Sequence, residues 1–287
     1  MRSIAQPGRP SPERIQWAEA WGRAFSFTLE AGVPLLEAAR RGFAAEGFAG
    51  GTLSIKGGAL GPFAYVMPAL SKTGENAAFY SDTFRPAGIT RPKTGAMTLG
   101  SRDGAPFFHC HALWTEADGR ASGGHILPEE TVVAEPFEVE AFGLDGALFA
   151  AEPDPETNFK LFGPVPSAAA GADTTSRAYA LRLRPNQDFA GALEAFCRER
   201  GITSAKLHGG VGSIIIGARF ADGRTIEPFA TEMAVRAGVI VSGAGGTPEA
   251  TLDVALVDYL GGLAVGRLMR GDNPVLMTME LVLEVLA

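Results

Sequence analysis

The chain repeats itself, and a repeated unit has to be read before anything else because it sets the number of cores the chain builds. Residues 23–29, RAFSFTL, alternate Phe25, Phe27 and Leu29 with smaller or polar neighbours. Residues 179–184, YALRLR, alternate Tyr179, Leu181 and Leu183 with polar or small ones. Alternation of this kind is the mark of a strand with one face in a core. A helical pattern follows each: Leu35, Leu36, Ala39 and Phe43 after Pro34, then Phe189, Ala192, Leu193, Phe196 and Cys197. Each pattern stops at a glycine, Gly47 and Gly201, where a left-handed residue closes a helix. Gly57-Gly58 and Gly209-Gly210 come next as turn or strand-end signals, and alternating strands close both copies at 136–142 and 278–286. The expected fold is α+β: two tandem copies of a mostly antiparallel sheet domain, each with a packed helix.

A chain of 287 residues has room for two such domains. The boundaries read as a flexible tail at 1–20, a first domain at 21–150, a linker at 151–176 and a second domain at 177–287. The linker reading rests on Pro153, Pro155, Pro164, Pro166 and a run of Ala, Gly, Ser and Thr. Residues 68–106, rich in glycine and proline, read as a long loop. With 46% hydrophobic and 20% charged residues the composition is that of an ordinary globular protein. A net charge of −7 argues against a broad phosphate-binding face, so nucleic acid is not the expected partner. No run approaches the length of a membrane helix, and the N-terminal residues lack the apolar stretch of a signal peptide, so a cytoplasmic protein is expected. Cys110 and Cys197 are expected to be free thiols.

Three of the four histidines fall between residues 109 and 125. Two residues apart on a strand, His109 and His111 point to one face while Cys110 points away. His125 follows the Asp118-Gly119 turn, and Gly123 and Gly124 let the returning strand come close. Three imidazoles with a fourth position open are the layout of a catalytic zinc site, although nickel, iron or copper also accept imidazole. Glu129 and Glu130 are the candidates for acid–base work, and Arg85, Arg91 and Lys93 for attracting an anionic ligand. The second copy lacks the histidines: at an offset of 142 residues, His109, His111 and His125 correspond to Thr251, Asp253 and Arg267. His208, beside Gly209, reads as a core or interface residue.

The string HCHALWTEADGRASGGHILPEE resembles the signature of the plants-and-prokaryotes-conserved (PPC) domain, with its H-x-H pair, Asp-Gly turn and Gly-Gly-His. HGGVGS at 208–213 is similar to that domain's glycine motif, whereas KGGALG at 56–61 departs from it. The resemblance implies a PPC-like sheet domain and a homo-oligomer, trimeric or pseudo-symmetric. Members of the family are often labelled DNA-binding, a label that comes largely from plant proteins with a separate Arg-Gly-Arg-Pro hook. Here Gly8-Arg9-Pro10 matches only part of the hook, with Pro7 in place of its first arginine. The fold and ligand pattern are also similar to acetolactate decarboxylase and to a zinc-dependent ester hydrolase family. The function expected is therefore a metal-binding protein, zinc first, that binds or transforms a small carbonyl or carboxylate compound, by lyase or hydrolase chemistry if it is an enzyme. The alternative is a non-catalytic, DNA-associated or regulatory assembly protein.

Overall fold

The computed structural model describes residues 2–215 and 217–287. The first half runs β1 (Ile15–Leu29), α1 (Leu35–Ala45), β2 (Gly51–Ile55), β3 (Ala59–Leu60), β4 (Tyr65–Val66), β5 (Pro68–Leu70) and β6 (Ala78–Tyr80). It continues through β7 (Arg91–Arg102), β8 (Ala105–Thr115), β9 (Ala121–Ile126), β10 (Val133–Glu135), β11 (Phe137–Asp145), β12 (Ala147–Asp154) and β13 (Phe159–Pro166). The second half is β14 (Ser176–Leu183), α2 (Phe189–Glu199), β15 (Ser204–Ile214), β16 (Thr231–Ser242), β17 (Pro248–Asp258), β18 (Leu263–Arg267) and β19 (Val275–Val285). Sheet dominates and is almost wholly antiparallel, with β12 against β7 as a parallel pair. No helix among the described residues is long and apolar enough to cross a membrane.

One fifteen-stranded sheet holds both halves, joined where β1 pairs antiparallel with β14. Outward from that pair the strand order is β1, β11, β2, β7, β8, β9 on one side and β14, β19, β15, β16, β17, β18 on the other. The sheet folds back on itself, so that β15, β16 and β17 face β2, β7, β8 and β9. Each half keeps its own apolar core under its own helix. Leu35, Ala39 and Phe43 of α1 enter the first core, and Phe189, Leu193, Phe196 and Cys197 of α2 enter the second. A third cluster, with Ala18, Ala20, Phe142, Phe149, Phe162, Ala180 and Val282, lies at the seam.

Both helices end in the same way. Gly47 and Gly201 have φ of 84° and 65°; Phe48 N–H donates to Phe43 O at 2.9 Å, and Ile202 N–H donates to Cys197 O at 2.9 Å. With Gly47 N–H donating to Ala44 O at 3.1 Å and Gly201 N–H donating to Arg198 O at 3.3 Å, each helix has the Schellman closure, which needs the left-handed residue that glycine supplies at least cost.

Three boundaries differ from those expected. Residues 15–20 are the start of β1 rather than tail, and the preceding segment is tied down: Ile4 N–H donates to Asn186 Oδ1 at 2.8 Å, and Gln6 Nε2 donates to Leu276 O at 2.7 Å. Long-range polar bonds of this kind leave no periodic trace in the sequence. The segment at 151–176 is not an open linker, because β12 and β13 form a hairpin across Ala147 to Pro166. Pro164 and Pro166 are tolerated because β13 pairs with β12 alone, and an outer strand edge needs no donor. Residues 68–106 are loop only in part, since Arg91–Arg102 is β7, an interior strand made of small residues between β2 and β8.

Candidate metal centre

Extended geometry on β8 does what two-residue spacing requires. His109 and His111 share a face, while Cys110 turns into the first core, where burial pushes its thiol up. The turn after β8 is closed by Glu116 N–H donating to Arg120 O at 2.9 Å, with Gly119 at φ 89°. β9 then returns in a register that sets His125 directly opposite His111. Gly124 lets β4 run alongside, since a Cβ there would lie 2.4 Å from Val66 O.

The three imidazoles are buried, and one ring nitrogen from each lies within 4.8 Å of the others. His109 Nε2 is 3.0 Å from His111 Nε2, which is 3.3 Å from His125 Nδ1. The outer nitrogens of the first pair are already committed. His109 Nδ1 is 3.0 Å from both oxygens of Glu280, and His111 Nδ1 is 3.1 Å from Met233 O. Carboxylate and carbonyl oxygens only accept, so both Nδ1 atoms donate, and in the neutral rings both Nε2 atoms carry lone pairs. Glu232 Oε2 adds a third electron-rich atom 2.6 Å from His111 Nε2. Lone pairs converging at these distances repel unless a cation lies among them, so the donor set fits a metal ion.

The electrostatics of the site depend on its acids. Burial disfavours a charged His109, yet the Glu280 carboxylate bonded to it, helped by Glu232, holds its pKa above the usual histidine value. His125 lies well below that value, through burial first and then repulsion from His109, His111 and Arg102. Tyr80 on β6 has its ring 5.3 Å from that of His125; burial, Glu232 and Glu280 all raise its phenol, which stays protonated.

Two hollows meet at the triad. A small one of about 40 Å³ lies toward Glu232, Ser213 and Met277. A cleft of about 300 Å³ lies toward His125, Phe107 and Phe162. Residues 170–287, which supply Glu232, Met233 and Glu280, match the Plants and Prokaryotes Conserved (PCC) domain. No curated protein matches the chain. Among solved structures it is similar to a metal-containing protein from Archaeoglobus fulgidus, at 20% identity and TM-score 0.39, over 50% of this chain and 94% of that one. A PPC protein from Pyrococcus horikoshii gives 18% identity and TM-score 0.40, over 52% of this chain and 97% of that one. A hypothetical protein from Salmonella enterica gives 29% identity and TM-score 0.31, over 39% of this chain and 80% of that one.

The histidines lie outside the matched PCC segment, so the centre is divided between the two halves of the chain. Within the matched segment, Asp253 faces Arg267 across β17 and β18 as His111 faces His125 across β8 and β9. Of the charged candidates, Glu129 lines the 300 Å³ cleft. Glu130 is paired with Arg85 at 2.5 Å in an exposed ion pair, and Arg91 is likewise paired with Glu135 at 2.9 Å. Lys93 is exposed on β7. Neither hollow is lined by Arg85, Arg91 or Lys93. Glu232, Glu280 and Tyr80 were missed by sequence reasoning. A faint signal existed for Glu280, a carboxylate with 0% exposure in a strand that otherwise reads as apolar along one stretch, VLMTMELVL.

Proposed function

We propose that the chain is a tandem pair of PCC-like domains, 21–150 and 177–287, whose seam binds a metal ion, zinc first, on His109, His111 and His125. The site binds or transforms a small carbonyl or carboxylate compound. The observation that carries this reading is the pair of Nε2 atoms 3.0 Å apart whose rings both donate from Nδ1, an arrangement that a cation between them would satisfy. The mirrored strand order about β1 and β14, the two identical helix closures and the shared hairpin register support the tandem part.

When bound, such a metal supplies a Lewis acid and a water acidic enough to ionise near neutral pH. The chain's own groups divide the remaining work. Glu280 fixes the His109 tautomer and strengthens it as a donor. Glu232, on the open side of the triad, is placed to take up a proton or to add a fourth oxygen donor. Tyr80, held in its protonated form, offers a hydrogen-bond donor above His125.

Metal content measured by inductively coupled plasma mass spectrometry tests the proposal, on the purified full chain beside the H109A/H111A/H125A variant. About one ion per chain, lost in the variant, is expected. No stoichiometric metal in the unaltered protein rejects it. Duplex-DNA affinity that falls steeply with salt would favour the DNA-associated assembly protein instead. Assembly into a homo-oligomer belongs to the same proposal, and light scattering measures it.

A further inference from the structure

The geometry points to a second recognition element in the 300 Å³ cleft: Arg102 binds the carboxylate of a ligand whose apolar body, an aromatic ring or branched chain, lies against phenylalanines and whose other end reaches the histidines. This rests on reading the triad as a ligand-binding centre and names the class of ligand.

The lining of the cleft is amphipathic. His109, His125 and Glu280 stand at one part of its wall, Phe107, Phe159 and Phe162 form apolar wall, and Arg102 and Lys160 bring positive charge. Phe107 and Phe162 meet edge to face at 6.0 Å, a rigid surface suited to a flat or branched apolar group. The two cations are not equivalent. Lys160 Nζ donates to both Asp103 oxygens, at 2.6 and 2.9 Å, so its charge is spent. The Arg102 side chain makes no hydrogen bond among the described residues, and its ion-pair partner, an Asp103 carboxylate oxygen, is 4.0 Å away. Its guanidinium lies 5.1 Å from the Phe107 ring centroid, which orients it without using its donors.

The backbone beneath Arg102 is fixed in a way that a loop arginine's is not. Asp103 and Gly104, at φ 54° and 78°, make the two-residue turn between β7 and β8, and the hairpin pairs Arg102 with Ala105. On its other side Arg102 pairs with Ala151 of β12. A planar guanidinium with free donors on a rigid strand end beside an apolar wall is the arrangement that recognises a carboxylate.

Isothermal titration of the full chain with 3-phenylpropionate and with its uncharged amide tests the assignment. In the unaltered protein the acid is expected to bind about tenfold or more tighter than the amide, the worth of one charge-assisted contact. R102M should bring acid and amide to within about twofold, and R102K should keep an intermediate preference. The Arg102 side chain is about half exposed (48%), so neither variant disturbs the core. Equal binding of acid and amide, no binding of the acid, or an undiminished preference in R102M overturns the assignment. The H109A/H111A/H125A protein separates the two readings. An acid preference that survives there, in a chain whose unaltered form carries no metal, upholds Arg102 while rejecting the metal. A preference lost with the histidines but kept in R102M rejects Arg102.

Discussion

His109 is held between two opposing demands, a carboxylate on one nitrogen and a neighbouring imidazole on the other. Glu280 is therefore expected to matter for metal affinity more than for folding. Glu280→Gln keeps the shape and a hydrogen-bonding group but removes the charge that makes His109 a strong donor. Metal affinity, measured by competition with a chelator, should fall about 10- to 100-fold, with the ion still bound at saturating concentration. An affinity unchanged within twofold would show that Glu280 does not tune the histidine. The triad itself was legible in the sequence because its information is local: H-x-H fixes two rings on one strand face, and a short turn fixes the third. Glu232 and Glu280 were not legible. Glu280 lies 171 residues from the ring it holds, and which strand of one half faces which strand of the other is decided by packing that no spacing encodes.

Elements read from periodicity fared according to how much of their surroundings the pattern reports. Both helices and their glycine closures were readable, since an apolar stripe ending at Gly47 or Gly201 reflects the helix alone. β7 was read as loop because its small residues, TGAMTLG, are chosen to fit between two neighbours rather than to alternate. The same contrast separates two kinds of glycine. At Gly47 a Cβ meets nothing nearer than 3.7 Å, so Gly47→Ala carries only the left-handed backbone penalty, about 1–2 kcal/mol by denaturant unfolding, and leaves metal binding intact. At Gly124 a Cβ would lie 2.4 Å from Val66 O, so Gly124→Ala has to push β4 off β9. That change should cost about 1–3 kcal/mol or more and weaken metal binding as well, because His125 is the next residue and pairs with Val66. Equal losses of metal affinity in the two variants would contradict this division.

At the scale of the molecule, the halves meet in a seam with its own titrating group. His208 bonds Glu284 at 2.6 Å, stacks on Phe142 of the first half at 4.3 Å, and its carbonyl accepts from Thr52 Oγ1 at 2.9 Å. The sequence reading of His208 left core and interface open; the ring lies between the halves, on partners the sequence did not indicate. Burial lowers its pKa below 6.5, and the Glu284 bond only partly offsets that. Above about pH 6.5 the ring is neutral folded and unfolded, and it adds no pH dependence. As pH falls below that value the unfolded chain takes up a proton that the folded chain refuses, so stability declines until the folded pKa is reached. Glu284 acts in a separate window. Burial raises it, but its bonds to Ser176 and His208 leave it lowered, so its contribution is present above the ordinary carboxylate value and is lost only at more acid pH. His208→Gln retains a donor for Glu284 without the titration. The melting temperature of the variant, followed from pH 7 to 5, should fall less steeply than that of the unaltered protein, while the two curves run parallel above pH 7. Parallel curves throughout would mean that the seam tolerates a charged His208.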